Sequence, residues 1–246
     1  NYKKLLKHLA TRIIITLEYA RVQWTICNIV LFLSDKKKKI RKNTKLFYPR
    51  HVNSGFTALS GKYPGTIFIF RKEEIDKVLI HELIHAFGID LDKTISRGDV
   101  LYINEAYTEM YATYINVLMR CVENNENLIN CLKLLRKEYN WCLYQAAKII
   151  SQNDFKKWKV FLSKIGNFQK RQPTNVFAYY IVKSYLFHSF DKMIELFPLT
   201  KENSNVDFFN ESLKYCNDIS YIKKLNKLLS IHNSNTMNKS MKMTIV

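Results

Sequence analysis

No stretch of the 246-residue chain reaches 18 uninterrupted apolar residues, so a transmembrane helix is not expected. The nearest approach, Val22 to Leu33 (VQWTICNIVLFL), is preceded by Arg12, Glu18 and Arg21. It lies too deep in the chain, and without a small-residue cleavage site, to act as a conventional signal peptide, and it reads as part of a buried N-terminal helix. Paired cysteines are missing as well. Cys27, Cys121, Cys131, Cys142 and Cys216 form no C-x-x-C and are odd in number, which argues against a disulfide framework and predicts reduced thiols in a cytoplasmic or nuclear, hence intracellular, setting. Cys121, Cys131 and Cys142 fall in helical-looking sequence and read as small buried hydrophobes. Internal repeats are absent. So are helix-turn-helix, zinc-finger and RNP signatures, which removes the usual routes to sequence-specific nucleic-acid recognition. Acidic residues are few: 21 against 39 lysines and arginines, a formal charge of +18. Such a chain is drawn to nucleic acid without sequence preference, to acidic protein tails and to anionic lipid. Its densest cluster, Lys36 to Lys42 (KKKKIRK), reads as a solvated loop, with a nuclear-localisation or phosphate-contacting patch as the alternative. The charge bears on location and substrate choice and does not define an activity.

What is present is a foldable globule. A hydrophobic content of 47% over this length allows one sizeable core or two small lobes. Residues 2 to 33 predict one or two helices, followed by a basic loop from Ser34 to Asn43. Pro49 to Gly65 is turn-rich, and Thr66 to Phe70 (TIFIF) predicts a short strand by its β-branched and aromatic content. That strand runs into a helix over Arg71 to Phe87. A second helix spans Ile103 to Arg120, which contains no Gly or Pro. Apolar spacing then predicts helices over Leu128 to Ile150, Phe155 to Ile165, Asn175 to Phe190 and Val206 to Leu229, with a mobile tail from His232. The expected fold class is α+β and predominantly helical. An N-terminal lobe would cover residues 1–121, a C-terminal helical lobe 122–231 and a tail 232–246.

Residues 81 to 85 read His-Glu-Leu-Ile-His. Positions i and i+4 of a helix share a face, so His81 and His85 can offer two imidazole nitrogens to one tetrahedral cation. Glu82 then sits beside the metal without ligating it, placed to take a proton from a water that the metal acidifies. Hydrolytic zinc keeps three protein ligands, commonly two histidines and a glutamate, and Glu105 of Asn104-Glu105-Ala106 is the best third candidate. Glu109, one turn on, shares its face and can accept the outer N–H of a ligand histidine, fixing its tautomer. An HExxHxxGxxH pattern would place its third ligand at position 91, where Leu91 stands, and its neighbours Asp90 and Asp92 read as solvated loop residues after a Gly88 helix cap.

The segments HELIHAFG and INEAYTE resemble the HExxH and NExxSD helices of the gluzincin metallopeptidases, whose best-known member is thermolysin. The chain also resembles, more loosely, small metallopeptidase-like proteins of large DNA viruses. The gluzincin resemblance implies a zincin-like core with a short sheet and two active-site helices. It implies that His81, His85 and Glu105 hold Zn2+, that Glu82 is the base, and that Glu109, preceded by Asn104 in the motif, orients a histidine. The chain departs from the pattern at Glu109, where the family has Asp, and at Thr108, where it has Ser. In such proteins an edge strand at the place of Thr66 to Phe70 lines the cleft and pairs with extended substrate. A His or Tyr from the following lobe often stabilises the oxyanion; His188 is the candidate, and Tyr179, Tyr180 and Tyr185 compete. The activity implied is hydrolysis of peptide bonds in a peptide or protein substrate, acidic ones included. Two other classes stand beside it: a zinc-stabilised, inactive scaffold that binds an acidic partner, and a nucleic-acid-binding protein whose HExxH is incidental.

Overall fold

Helices carry most of the chain in a computed structural model that describes residues 2–23, 25–41, 43–59, 64–91, 103–200, 205–231 and 238–246. In order these are α1 (Tyr2–Tyr19), β1 (Ile29–Ser34), the single turn α2 (Pro49–Val52), β2 (Gly55–Ala58), β3 (Thr66–Arg71), α3 (Ile75–Ala86), α4 (Ile103–Glu123), α5 (Leu128–Gln152), α6 (Trp158–Leu162) and α7 (Ile165–Gln169). A π-helical turn (Ala178–Val182) then leads into α8 (Lys183–His188), α9 (Phe190–Leu196), α10 (Asn205–Cys216) and α11 (Ile219–Ile231). The class is thus α+β and mainly helical, with a three-stranded sheet in the order β1-β3-β2. Among the described residues no helix is long and apolar enough to cross a membrane.

The sheet corrects two expectations. Val22 to Leu33 does not continue a helix: its second half is β1, which pairs in parallel with β3 from Ile29↔Ile67 onward. The run Ile-Val-Leu-Phe-Leu is β-branched and aromatic, and such residues favour the pleated surface once a neighbouring strand is available. The other correction concerns β3, which is the central strand and not an edge. Its second neighbour β2, antiparallel with Gly55↔Ile69, lies inside the segment read as turns. Ile67 and Ile69 of β3 face inward and are fully buried.

Gly55 lets β2 close on α3. A Cβ there would lie 2.8 Å from the Phe68 carbonyl oxygen, 3.0 Å from Val78 Cγ1 and 3.3 Å from Glu82 Cγ. On the far side of α3, the buried Arg12 of α1 donates to Glu123 of α4 at 2.7 Å and to Asp76 of α3 at 3.2 Å, while Arg120 reaches Asp76 at 3.0 Å. Two guanidinium groups and two carboxylates thereby fix the two motif helices against each other. Arg12 is itself buried and meets Glu123 through both Nη atoms, a bidentate Arg–carboxylate contact of the strong kind.

The segment from His232 was expected to be a mobile tail, and residues 238–246 contradict this. Met241, Met243 and Thr244 are buried. Glu138 of α5 accepts from the Thr244 hydroxyl at 2.6 Å and from the Ile245 and Val246 amides at 2.8 and 3.1 Å. Glu74 takes the Met243 and Thr244 amides at 2.6 and 2.8 Å. Glu74 stands at φ 62, a left-handed conformation that costs a non-glycine residue about 1 kcal/mol or more, offset here by the contacts its carboxylate makes. Met241 and Met243, which looked like tail composition, are core residues. His232 itself lies outside the described residues.

The basic loop is also less solvated than its composition suggests. Lys38 is fully buried and paired with Glu74, and Ile40 is buried too. Burial lowers the Lys38 pKa while Glu74 opposes the shift. Later helices follow the expected apolar spacing but are interrupted. Val206 to Leu229 is two helices that break at Asn217 and Asp218, and Phe155 to Ile165 keeps only one and a half turns as α6.

Candidate metal centre

α3 carries His81, Glu82 and His85 on the face it turns to α4 and β2. α3 ends in a Schellman motif: Ile89 N–H donates to the Ile84 carbonyl and Gly88 N–H to that of His85, both at 3.1 Å, with Gly88 at φ 62. Only glycine takes that conformation without strain. The reversal brings Asp90 back beneath the helix end, where its Oδ2 lies 2.7 Å from His85 Nδ1. Asp90, expected as a solvated loop residue, is therefore a buried partner of a ligand-type histidine. Asp92 lies outside the described residues.

α4 supplies the remaining acids. Glu109 Oε1 is 3.0 Å from His81 Nδ1 and 2.5 Å from Lys77 Nζ. Each imidazole thus has its Nδ1 turned to a carboxylate and its Nε2 inward. The two Nε2 atoms are 3.1 Å apart, and Glu105 Oε2 lies 3.5 Å from that of His81 and 3.3 Å from that of His85. Zinc bonds of about 2.0–2.1 Å at tetrahedral angles place ligand atoms about 3.3 Å from one another. The three donors match that triangle before any adjustment. With His85 Nδ1 hydrogen-bonded to Asp90 and His81 Nδ1 3.0 Å from the Glu109 carboxylate, both Nε2 atoms and Glu105 Oε2 converge on one point, which favours positive charge there, either a proton or a cation. The group is the His81, His85 and Glu105 cluster that satisfies metal-ligand spacing among the described residues.

Electrostatics in the metal-free protein tell the same story. Burial alone lowers the pKa of His85, but the Glu105 charge and the Asp90 hydrogen bond outweigh it and push the value up to about 10. Burial likewise opposes the charge on His81, and Glu105 and Glu109 raise its pKa in net. For Glu105 and Glu109 burial acts upward and is overcome: the histidines hold Glu105 far below the usual carboxylate range, and Lys77, Lys183 and His81 do the same for Glu109. A dense cluster of acids and imidazoles that holds protons tightly is one that a cation can displace them from.

Glu82 faces away from α4, toward β2. Thr57 Oγ1 donates to its Oε2 at 2.8 Å and to its backbone carbonyl at 3.0 Å. A cavity of about 40 Å3, room for one or two waters, lies between Glu82, His81 and Glu109, and Tyr179, Met243 and Gly55 also line it. His81, Glu82 and His85 are each less than a tenth exposed.

The π-helical turn determines which tyrosine reaches the site. π turns insert one extra residue and re-aim the side chains around them. Tyr179 packs edge-on to the His81 ring with centroids 6.2 Å apart. Its neighbour Tyr180 points elsewhere and donates to the Met241 carbonyl at 2.6 Å, while Tyr185 is buried beside Tyr221. Burial, reinforced by Glu105, Glu109 and Glu82, raises the Tyr179 pKa well above 10, so it remains a hydrogen-bond donor.

His188 does not join the cluster, which corrects the expectation placed on it. Its Nδ1 is 2.7 Å from the Tyr139 hydroxyl, and its Nε2 is 3.1 Å from Asp218 and 2.9 Å from Ser220. These groups tie α5, α8 and the α10–α11 junction together, a packing role, and burial lowers its pKa. Asn104 is buried in the first turn of α4, directly before Glu105.

Against known proteins, no family model matches the chain and no solved structure does. Over 203 residues the chain is 28% identical to an uncharacterized protein of Acanthamoeba polyphaga mimivirus, an alignment that covers 76% of this chain and 51% of the relative. The chain thus spans about half the length of the curated relative it matches, and its similarity is to a viral protein without an assigned role.

Proposed function

We propose that the chain is a zinc-dependent metallopeptidase of gluzincin type with a zincin-like core. The observation that carries this reading is the convergence of His81 Nε2, His85 Nε2 and Glu105 Oε2 within 3.1 to 3.5 Å of one another, with each outer imidazole nitrogen backed by a carboxylate. Two histidines and a glutamate are the donor set of hydrolytic zinc sites. Zinc held there would acidify a water to a pKa of about 7 and polarise a substrate carbonyl.

The chain's own residues supply the rest. Glu82 is not among the three converging donors, and its carboxylate, steadied by Thr57, is free to accept a proton from a water in the adjoining cavity and to pass it to a leaving amine. Tyr179, protonated and beside His81, would turn its hydroxyl from Asn175 to donate toward the carbonyl oxygen as charge builds on it, the role expected of His188. Asp90 and Glu109 hold the imidazoles in the tautomer that leaves Nε2 free. β2 is the sheet edge nearest Glu82, and an extended peptide would add to it through backbone hydrogen bonds.

The test is a peptide-library digestion with the full chain, a chelator control and the Glu82→Gln variant. Cleavage that stops with chelator, returns with zinc and is lost in Glu82→Gln while zinc stays bound is the expected result. Full cleavage by Glu82→Gln refutes the assignment of the base.

One observation favours a second reading, a zinc-stabilised scaffold that binds an acidic partner. The histidines are almost completely enclosed, and Met243 and Tyr179 wall a cavity that holds little more than water. A scaffold keeps stoichiometric zinc and shows no chelator-sensitive cleavage of any library member.

A further inference from the structure

We propose that a cavity of about 750 Å3, formed by residues within 36–41 and 44–51 and the end of β3, binds clustered phosphates of the kind carried by a nucleic-acid strand or a polyphosphate. Lys36, Lys37, Lys39, Arg41, Arg50 and Arg71 line it, and no Asp or Glu does. Lys45 at its rim is paired with Asp154. The first five of those cations make no ion pair among the described residues, although the protein offers carboxylates elsewhere.

The backbone makes this more than a run of solvated lysines. Ile40 N–H donates to the Lys239 carbonyl at 3.0 Å and Met241 N–H to that of Lys38 at 2.9 Å, so the loop is pinned in extended form against residues 238–241. Successive side chains of extended backbone point to opposite sides. Lys38 is drawn into the core against Glu74, and Lys37 and Lys39 are consequently turned outward into the cavity. Cations held in place this way lose little conformational freedom on binding.

Arg71 supplies an independent observation. It is 6% exposed, and its Nη2 donates to the Arg50 carbonyl oxygen at 3.1 Å, while its Nη1 is buried without an acceptor. An unpaired buried N–H of a charged group is costly, and an anion in the cavity that Arg71 lines would satisfy it. The Arg50 guanidinium lies 5.2 Å from the centroid of the half-exposed Tyr48 ring. Arginine and aromatic planes beside a row of cations suit a phosphodiester chain with its bases better than a carboxylate polymer, which has nothing to stack. The cavity shares no lining residue with the one beside His81, so its occupation does not depend on the metal reading.

The experiment measures anisotropy of a fluorescein-labelled twelve-nucleotide oligothymidylate titrated with the full chain in rising KCl. Tripolyphosphate and poly-aspartate are the competitors. The variant Lys37→Glu/Lys39→Glu/Arg50→Glu changes three exposed side chains; the control Lys156→Glu/Lys159→Glu/Lys223→Glu makes the same charge change elsewhere, and thermal melts verify that both fold. Expected is a log–log salt slope of about −2 or steeper in the unaltered protein, about −0.7 per phosphate contact, with affinity at least about tenfold weaker in the cavity variant and nearly unchanged in the control. Tight oligonucleotide binding identifies a nucleic-acid strand as the source of the phosphates. Displacement by tripolyphosphate far below the oligonucleotide's own dissociation constant identifies a small polyphosphate. Equal weakening in both variants, a slope shallower than about −1, or poly-aspartate competing better than tripolyphosphate overturns the proposal.

Discussion

Asp90 shows how a residue gains a role that its sequence position conceals. Its carboxylate reaches His85 because Gly88 reverses the chain, and the signal for this was a glycine cap followed two residues later by an acid. His81, Glu82 and His85 were legible from i, i+4 geometry, and Glu105 and Glu109 from their common helix face. Tyr179 was only one of several tyrosines, because a π turn cannot be read from apolar spacing. Outer carboxylates of this kind set ligand orientation and basicity, so Asp90→Asn and Glu109→Gln should each weaken zinc binding by about 10–100-fold in a chelator competition, with the folded state intact. Unchanged affinity would remove their assigned role.

The same carboxylates imply a pH dependence. His85 is raised from 6.5 to about 10 in the metal-free chain, so the stability it contributes is fully present below about pH 6.5 and is lost as pH rises through about 10. Over that window protons leave the site and metal binding strengthens. Buried Lys148, lowered to about 7 by burial, titrates in the opposite sense but contributes equally with and without metal. The gap in melting temperature between zinc-loaded and chelated protein should therefore widen from pH 6.5 to 10. A constant gap contradicts the proton count assigned to the site.

At the scale of elements, long periodic helices such as α4 and α5 were read nearly to their ends. The errors fell where two structures compete for one apolar run. Ile29 to Leu33 is as apolar as a buried helix and becomes a strand only because β3 lies alongside. Four-residue β2 carries too little pattern to be seen between Pro49 and Gly65, yet it presents Thr57 to Glu82. Gly55→Val should push β2 off α3, since its Cβ would meet the Phe68 carbonyl oxygen at 2.8 Å. Overpacking of this kind costs about 1–3 kcal/mol. Urea midpoints should fall with the slope unchanged, and any peptide turnover should fall further than stability does, because Thr57 leaves the base. The last three residues, 244–246, are tied by one buried carboxylate, so Glu138→Leu should strand the Thr244 hydroxyl and the Ile245 and Val246 amides. Hydrogen exchange should then rise in that segment well before the rest of the protein. Protection equal to that of the unaltered chain would mean that Glu74, the pairing with Lys38 and the buried Met241 and Met243 hold the segment without Glu138.

Across the whole molecule, the charge of +18 was legible as an amount and illegible as a pattern. Only the fold shows Lys38 spent on the core and its neighbours gathered into one cavity with Arg50 and Arg71. Metal, if bound, ties the halves of the motif together, because His81 and His85 come from α3 and Glu105 from α4. Zinc at a thousand times its dissociation constant would stabilise the folded state by about 4 kcal/mol. For a chain of this size about 2–4 °C of melting temperature accompanies each kcal/mol, so chelation should lower the melting point by roughly 8–16 °C.

The most direct measurement is the zinc content of the full chain after zinc loading and dialysis, read by elemental analysis for the unaltered protein, Glu82→Gln and His81→Ala/His85→Ala. The account predicts about one zinc per chain in the first two and almost none in the third, because two of three ligands are gone. Substoichiometric zinc in the unaltered protein, or zinc that persists without His81 and His85, contradicts it.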